Sequence, residues 1–288
     1  MIARTLHSAL TRLFALKRLW LVYYLSGLAF AAVVALPATS IVSSYAGQTL
    51  TAERLSSFMD INFIIELFHY HGSALGAILP LLIMTAFLFW LLMLFFSGGA
   101  LKLMAGDHPY RPREFWDACG RYFGRFLRLL LWSLPLLALF FLLPALANLV
   151  EKLFWGKDPG DNITYWSGIA KMGLRYLALM LWALFFDYAR ILAVQKNEKR
   201  TRRLAIAALQ FTSRNLGRLF ALALLLALIS LLGLVIYNPV ADLLHAPSTG
   251  IIALLFLWQQ LYMLFRAGVR LLTHGSQMKL SQRLLQDY

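Results

Sequence analysis

Leu219–Tyr237 reads LFALALLLALISLLGLVIY, an apolar run with no charged residue along its length. The hydrocarbon core of a bilayer is about 30 Å thick, and roughly 20 apolar residues of helix cross it. A run of this kind reads as a transmembrane helix. Working outward, five further runs qualify: Leu19–Val42, Ala74–Phe96, Leu129–Val150, Leu174–Phe186 with an extension to Val194, and Thr249–Phe265. The fourth is the weakest, because Lys171 and Arg175 stand at its start and Asp187 and Arg190 near its end. Snorkelling of the long basic side chains is expected to accommodate it. Pro37, Pro80, Pro135 and Pro144 fall inside spans, where neighbouring helices tolerate a kink. The fold class is therefore all-α integral membrane, with six transmembrane helices.

Composition agrees. The chain has 288 residues, 60% of them hydrophobic and only 14% charged, with a mean hydropathy of +0.68. A soluble domain needs about a quarter of its residues charged to cover its surface. The single cysteine, Cys119, excludes an intramolecular disulfide framework and a thiol metal cluster.

A net charge of +14 admits nucleic acid, anionic lipid or membrane topology as its cause, and position separates them. Near the N-terminus, after the second and fourth spans, and in the C-terminal part, 22 Lys and Arg flank the spans; the opposite side has 5, namely Arg54, Lys152, Lys157, Lys171 and Arg175. The positive-inside rule then places both termini in the cytoplasm. Every basic cluster abuts a span, so no nucleic-acid partner is expected. The basic start followed by an apolar run and small residues at Ala38–Ala46 also resembles a signal peptide. That run exceeds the roughly 7–15 residues of a signal's apolar region, and an uncleaved helix is expected.

The ends of the even-numbered spans echo one another: Phe95-Phe96-Ser97-Gly98-Gly99-Ala100-Leu101-Lys102, Phe185-Phe186-Asp187-Tyr188-Ala189-Arg190-Ile191-Leu192, and Leu264-Phe265-Arg266-Ala267-Gly268-Val269-Arg270-Leu271. Each reads as a basic, small-residue turn leaving the membrane. Arg121-Tyr-Phe-Gly-Arg125 and Arg214-Asn-Leu-Gly-Arg218 match ahead of the third and fifth spans, with a looser echo at Arg12–Arg18. These features suggest three hairpin units in one membrane domain, 1–110, 111–200 and 201–288, each led in by an amphipathic cytoplasmic helix. Parallel repeats imply an axis along the membrane normal, compatible with either a central cleft or a duplicated scaffold.

Around Arg113–Arg128 and Arg202–Arg218, apolar and basic residues alternate at helical spacing, as in helices that lie at a membrane surface. Arg121, Arg125, Arg214 and Arg218 are the candidate contacts to anionic head groups; ordinary positive-inside anchoring is the plainer reading of the same charges. On the outer side, Thr51–Tyr70 has the pattern of an amphipathic helix. Glu66, His69 and His71 contain one Glu-x-x-His, but the second copy that a di-iron bundle needs is missing, so no metal is assigned. Asn162-Ile-Thr164 is a formal glycosylation sequon that carries no weight here.

Ionisable groups near spans are default functional candidates, because each is costly without a partner. Asp187 is the foremost, with Arg190 one turn away and Arg266 at its repeat-equivalent position. Together they form either a structural ion pair or a proton- or substrate-coupling site. Asn148, Asn238, Gln259 and Gln260 fit interhelical hydrogen bonds better than a cargo path. No nucleophile–base constellation, Walker loop, dinucleotide fingerprint or zinc motif occurs, and Asp107-His108 sits in a turn. No catalytic residue or cofactor is assigned.

The order of Phe-Phe-Asp-Tyr-Ala-Arg190, the basic stretch after it, Arg214-Asn-Leu-Gly-Arg218 and Arg266-Ala-Gly-Val-Arg270 resembles a group of bacterial multi-pass proteins. These are inner-membrane proteins of the YciC type and the membrane domains of glycerophosphodiester phosphodiesterases. The resemblance implies a bacterial inner membrane and no activity for this segment; the soluble phosphodiesterase domain has no counterpart in the sequence. The expected function is a non-enzymatic scaffold or accessory protein of the envelope, contacting lipids or a protein partner. The alternative is a transporter or lipid-handling protein with a cleft among the hairpins.

Overall fold

Apolar runs of this length fold as helices because a bilayer offers no water to satisfy backbone N–H and C=O groups. In the computed structural model, which describes residues 2–46, 61–156, 160–198, 200–244 and 248–286, no strand occurs among those residues. Eight helices do: α1 (Ile2–Ala15), α2 (Lys17–Ala46), α3 (Ile61–Ala105), α4 (Pro112–Trp155), α5 (Asp161–Lys196), α6 (Thr201–Arg214), α7 (Leu216–Leu243) and α8 (Thr249–Gln286). Six of them, α2, α3, α4, α5, α7 and α8, are long and apolar enough to cross a membrane. The protein is an all-α, six-span membrane protein.

α1 and α6 are short amphipathic helices ahead of the first and fifth spans. Each ends in a break of a single residue. At Leu16 the backbone N–H bonds back to Leu13 O, and its own carbonyl starts the next helix by accepting from Leu19 and Trp20. Asn215 does the same between α6 and α7, and its side-chain amide donates to Phe211 O at 3.0 Å, competing with the helical ladder where that ladder stops. Ahead of the third span the corresponding stretch, 113–128, is the first part of α4 and runs into the span without interruption.

The helices outrun the bilayer. At 1.5 Å per residue, the 44 residues of α4 extend about 66 Å, roughly twice the hydrocarbon thickness. Pro37, Pro80, Pro135 and Pro144 are all accommodated within helices, as is Pro239 in α7. On the other side, Ile61–Tyr70 is helical and continues directly into the second span as part of α3. The rest of the amphipathic segment read at Thr51–Tyr70, residues 51–60, lies outside the described residues, as do the side chains of Glu66 and His71.

Two compact units emerge. The first gathers Met1–Arg12, Phe95–Ala227 and Leu272–Tyr288, the second Leu13–Leu94 and Leu228–Leu271. In the first, Leu101, Met104, Phe115, Phe126, Tyr188 and Ile191 are fully buried. In the second, α2 is tied to α8 by Trp20 Nε1 donating to Leu264 O at 2.8 Å and by Tyr24 OH donating to Gln260 Oε1 at 2.8 Å. The Gln260 bond is the interhelical hydrogen bond expected of it.

The small residues read as turns at the ends of the second and sixth apolar runs lie within helices. Ser97, Gly98, Gly99 and Ala100 lie inside α3, where the start of α4 crosses. A Cβ on Gly98 would stand 3.1 Å from Ala118 O and 3.1 Å from Tyr122 Cβ, and one on Gly99 would stand 2.7 Å from Cys119 Sγ and overlap the Phe115 ring. Gly268, likewise helical in α8, lies against the Trp20 ring of its own unit. Small residues are placed here because they let helix backbones approach closely, the usual device of membrane helix pairs. A turn was the expectation because the sequence places them beside a basic residue at the end of each apolar run. The helix simply continues past the apolar run.

The fourth span, weakest by sequence, is the most enclosed. Within its most apolar stretch 61% of residues are buried, against 17% or less for the other five spans. Its charges are met inside the protein. Lys171 pairs with Glu151 of α4, which also accepts from Ser167 Oγ at 3.0 Å. Trp182 Nε1 donates to Ser133 O at 3.2 Å, closing the α4–α5 hairpin further along. A span that packs on protein needs less apolar surface than one bathed in lipid.

Candidate functional site at the basic end

The basic end of the first unit is where α1, α3, α5 and α8 bring their polar residues together. α5 and α8 run in the same direction there and share a polar seam. Asp187 accepts from Arg190, one turn on in α5, with one carboxylate oxygen, and from Gln277 Nε2 of α8 at 2.9 Å with the other. Further along, Gln195 accepts from Ser281 Oγ at 3.1 Å and directs its amide at Met278 Sδ. Arg190 is buried, its guanidinium 4.7 Å from the centre of the Phe186 ring.

This seam is not fully satisfied by protein. Arg190 Nε and Gln277 Oε1 of the seam, and Tyr188 OH and Ser276 Oγ of their sequence neighbours, are buried with no hydrogen-bond partner among the described residues. Four orphan polar atoms within about two turns of paired helices are unusual, since buried polar groups are nearly always partnered. The cluster therefore stands apart from a simple structural ion pair.

Beside the seam, the C-terminus of α3 is held from two directions. Arg12 of α1 donates to Leu103 O at 2.9 Å and to His108 O, while Gln282 Nε2 of α8 donates to Ala105 O at 3.2 Å. The last carbonyls of a helix lack intrahelical donors and form the negative end of its dipole, so a guanidinium is well matched to them. Burial lowers the Arg12 pKa, while the nearby Asp107 and Glu114 carboxylates pull it back up. Replacing Arg12 by Ala is expected to cost about 1–2 kcal/mol and to fray the last turn of α3. Hydrogen exchange at residues 102–105 would report it, and unchanged protection would refute the capping role. The N-terminal arginine counted above as a topology signal is thus also a helix cap.

Between these elements lies a cleft of about 660 Å³, lined by Ser8, Asp107, Gln195, Lys196, Lys279 and Arg283 among others. No family model, curated protein or solved structure matches the chain. What the site does has to be argued from its own geometry.

The remaining candidates are placed as follows. Arg266 is exposed in the second unit, its guanidinium 6.0 Å from the centre of the Tyr262 ring, whereas the partners of Asp187 are Arg190 and Gln277. Of the four candidate head-group contacts, Arg214 and Arg218 are exposed, and Arg121 is exposed and paired with Asp117 at 2.8 Å. Arg125 is half-buried, donating to Asn197 Oδ1 at 3.0 Å with its guanidinium 5.3 Å from the centre of the Tyr122 ring. Asn148, Asn238 and Gln259 are exposed. Among the described residues, no three His, Cys, Asp or Glu side chains gather as metal ligands. Sequence reasoning missed Gln277, Gln195, Ser281 and Lys279. Their only signal was a polar stretch continuing beyond the last apolar run, which reads as a soluble tail until α8 is seen to pack along α5.

Proposed function

We propose that this protein is a non-enzymatic scaffold or accessory protein of the bacterial inner membrane. Both termini are cytoplasmic, and the basic end lies against anionic head groups. The observation that supports this best is the contrast between buried and exposed apolar side chains along its helices. At the basic end Leu101, Met104, Phe115, Phe126, Tyr188 and Ile191 are fully buried, while along the spans large apolar side chains remain exposed: Leu142, Leu146, Leu149 and Leu153 on α4 and Leu231, Leu232, Val235 and Ile236 on α7. In a bilayer such faces are covered by acyl chains or by helices of another protein, and lipid contact by itself leaves them content. The bacterial inner membrane follows from the resemblance carried by the Arg190, Arg214–Arg218 and Arg266–Arg270 motifs, and the orientation from the lysine and arginine asymmetry.

A second reading, transport or lipid handling, draws support from one feature: the Asp187–Arg190–Gln277 seam with its orphan polar atoms. Intramembrane ionisable groups are costly without a partner, and where they occur they commonly line substrate or proton paths.

Orientation and function are tested on the same protein. Cys119 is fully buried, so an introduced cysteine supplies the only accessible thiol. In intact bacterial spheroplasts, Asp161→Cys is expected to react with a membrane-impermeant maleimide, and Gln286→Cys only after lysis; the reverse pattern would sink the orientation. A density map of the full chain in native-lipid discs is expected to show acyl chains along the exposed faces of α4 and α7. A solvent-filled path enclosed by the spans and reaching Asp187 would overturn the scaffold reading in favour of transport.

A further inference from the structure

The cleft at the basic end has a chemistry of its own. Among the described residues its lining carries three cations, Lys196, Lys279 and Arg283, against one carboxylate, Asp107, with Gln195, Gln282 and Ser8 supplying neutral polar groups. The cations come from two helices: Lys196 is the last residue of α5, and Lys279 and Arg283 are one turn apart on α8. Their excess over acid is fixed by fold, since α5 and α8 are locked together by the Asp187–Gln277 and Gln195–Ser281 bonds.

The carboxylate present does not neutralise this charge. Lys279 is only 20% exposed at its side chain, yet Asp107, its ion-pair partner at 3.4 Å, is 90% exposed. A pair with one partner in bulk water and a long separation contributes little, because solvent and salt compete for the carboxylate. Arg283 is oriented rather than neutralised, with Nη1 donating to Thr5 Oγ1 at 3.1 Å. Lys196 is exposed at the rim. A partly desolvated ammonium and a pre-oriented guanidinium line one space of about 660 Å³, groups that suit an anion, and that volume falls in the range of small-molecule sites.

We propose that this cleft binds a phosphate ester, with Lys279 and Arg283 contacting the phosphate oxygens and Lys196 at the mouth. A planar guanidinium and an ammonium one helical turn apart suit the several acceptor oxygens of a phosphate better than a single carboxylate. The polar wall of Ser8, Gln195 and Gln282 meets the hydroxyls of the alcohol that carries it. The ester is either a soluble monoester or the phosphodiester of a glycerophospholipid head group; both present anionic phosphate oxygens to the cleft. The inference goes beyond the scaffold reading and stands whether or not the spans carry cargo.

The test uses the full chain in nanodiscs. In phosphatidylcholine discs, glycerol 3-phosphate is titrated and the thermal midpoint followed by circular dichroism; in parallel, discs of mixed phosphatidylcholine and phosphatidylglycerol are melted without soluble ligand. A saturable rise with glycerol 3-phosphate, weakened about tenfold in both Lys279→Gln and Arg283→Gln, identifies the soluble ester. A rise confined to phosphatidylglycerol discs, lost in these variants but retained in Arg214→Gln, identifies the head group. Lys196→Gln, altered only at an exposed position, provides the same comparison, with weaker binding expected, if either the Lys279→Gln or the Arg283→Gln variant fails to fold. No response to either probe overturns the proposal, and so does a response of equal size in wild type and Lys196→Gln together with any folded Lys279→Gln or Arg283→Gln.

Discussion

Gly99→Leu is expected to prevent the protein from accumulating in folded form. A Cβ at this position already overlaps the Phe115 ring and stands 2.7 Å from Cys119 Sγ, and a leucine adds three further carbons at the same crossing. Neither neighbour can retreat easily. Phe115 and Cys119 are both fully buried, and Phe115 is packed on Phe96 and Trp116, with ring centres 5.7 and 5.1 Å away. Overpacking a filled core costs roughly 1–3 kcal/mol, and a helix crossing that depends on backbone approach lies at the upper end. The measurement is the fraction recovered as a monodisperse peak in mild detergent, together with its thermal midpoint. Gly120→Leu is the control, because a Cβ on Gly120 meets nothing within 4 Å, and it is expected to behave as wild type. If the two variants were equally stable, the close crossing of α3 and α4 would not be what holds the basic end together.

The second large effect is expected at Asp187. Asp187→Leu removes the carboxylate and leaves the Arg190 guanidinium buried without its counter-charge, a loss of about 3–5 kcal/mol. Removing both charges, as Asp187→Leu with Arg190→Met, is expected to recover most of that stability, since a buried ion pair can be replaced by apolar groups of similar volume at little cost. Thermal melts of the two single variants and the double variant complete the cycle, and additive losses would show that the two residues are not coupled. The same proteins divide the two functional readings. A double variant that folds and supports every cellular phenotype of the wild type fits a structural lock. One that folds and fails would place the charges in the working mechanism.

The six spans are legible in the sequence because hydrophobic length is a local property, written residue by residue in runs such as Leu219–Tyr237. The charges of the fourth span are legible only as a difficulty. Their solution, Lys171 on Glu151 and Asp187 between Arg190 and Gln277, depends on which helices are neighbours, and that is not encoded in any one segment. The small-residue motif shows the same divide. Ser97–Ala100 is visible as a pattern, yet whether four small residues make a turn or a helix crossing is decided by a partner helix that starts at Pro112. The polar seam lay further out of reach, because Gln277 and Ser281 acquire meaning only when α8 is seen to continue past its apolar stretch and pack along α5.

The contrast between the unbroken α4 and the interrupted helix pairs at Leu16 and Asn215 has a mechanical consequence. Spans tilt to match bilayer thickness. In α4 no break separates the third span from the stretch bearing Arg121 and Arg125, so a tilt of the span loads the crossing of Phe115 and Cys119 on Gly99 directly. The fifth span can tilt while α6 keeps its own angle, pivoting at Asn215. Membrane strain therefore bears on the α3–α4 crossing through a continuous helix, whereas ahead of the fifth span it meets the single-residue break at Asn215 first.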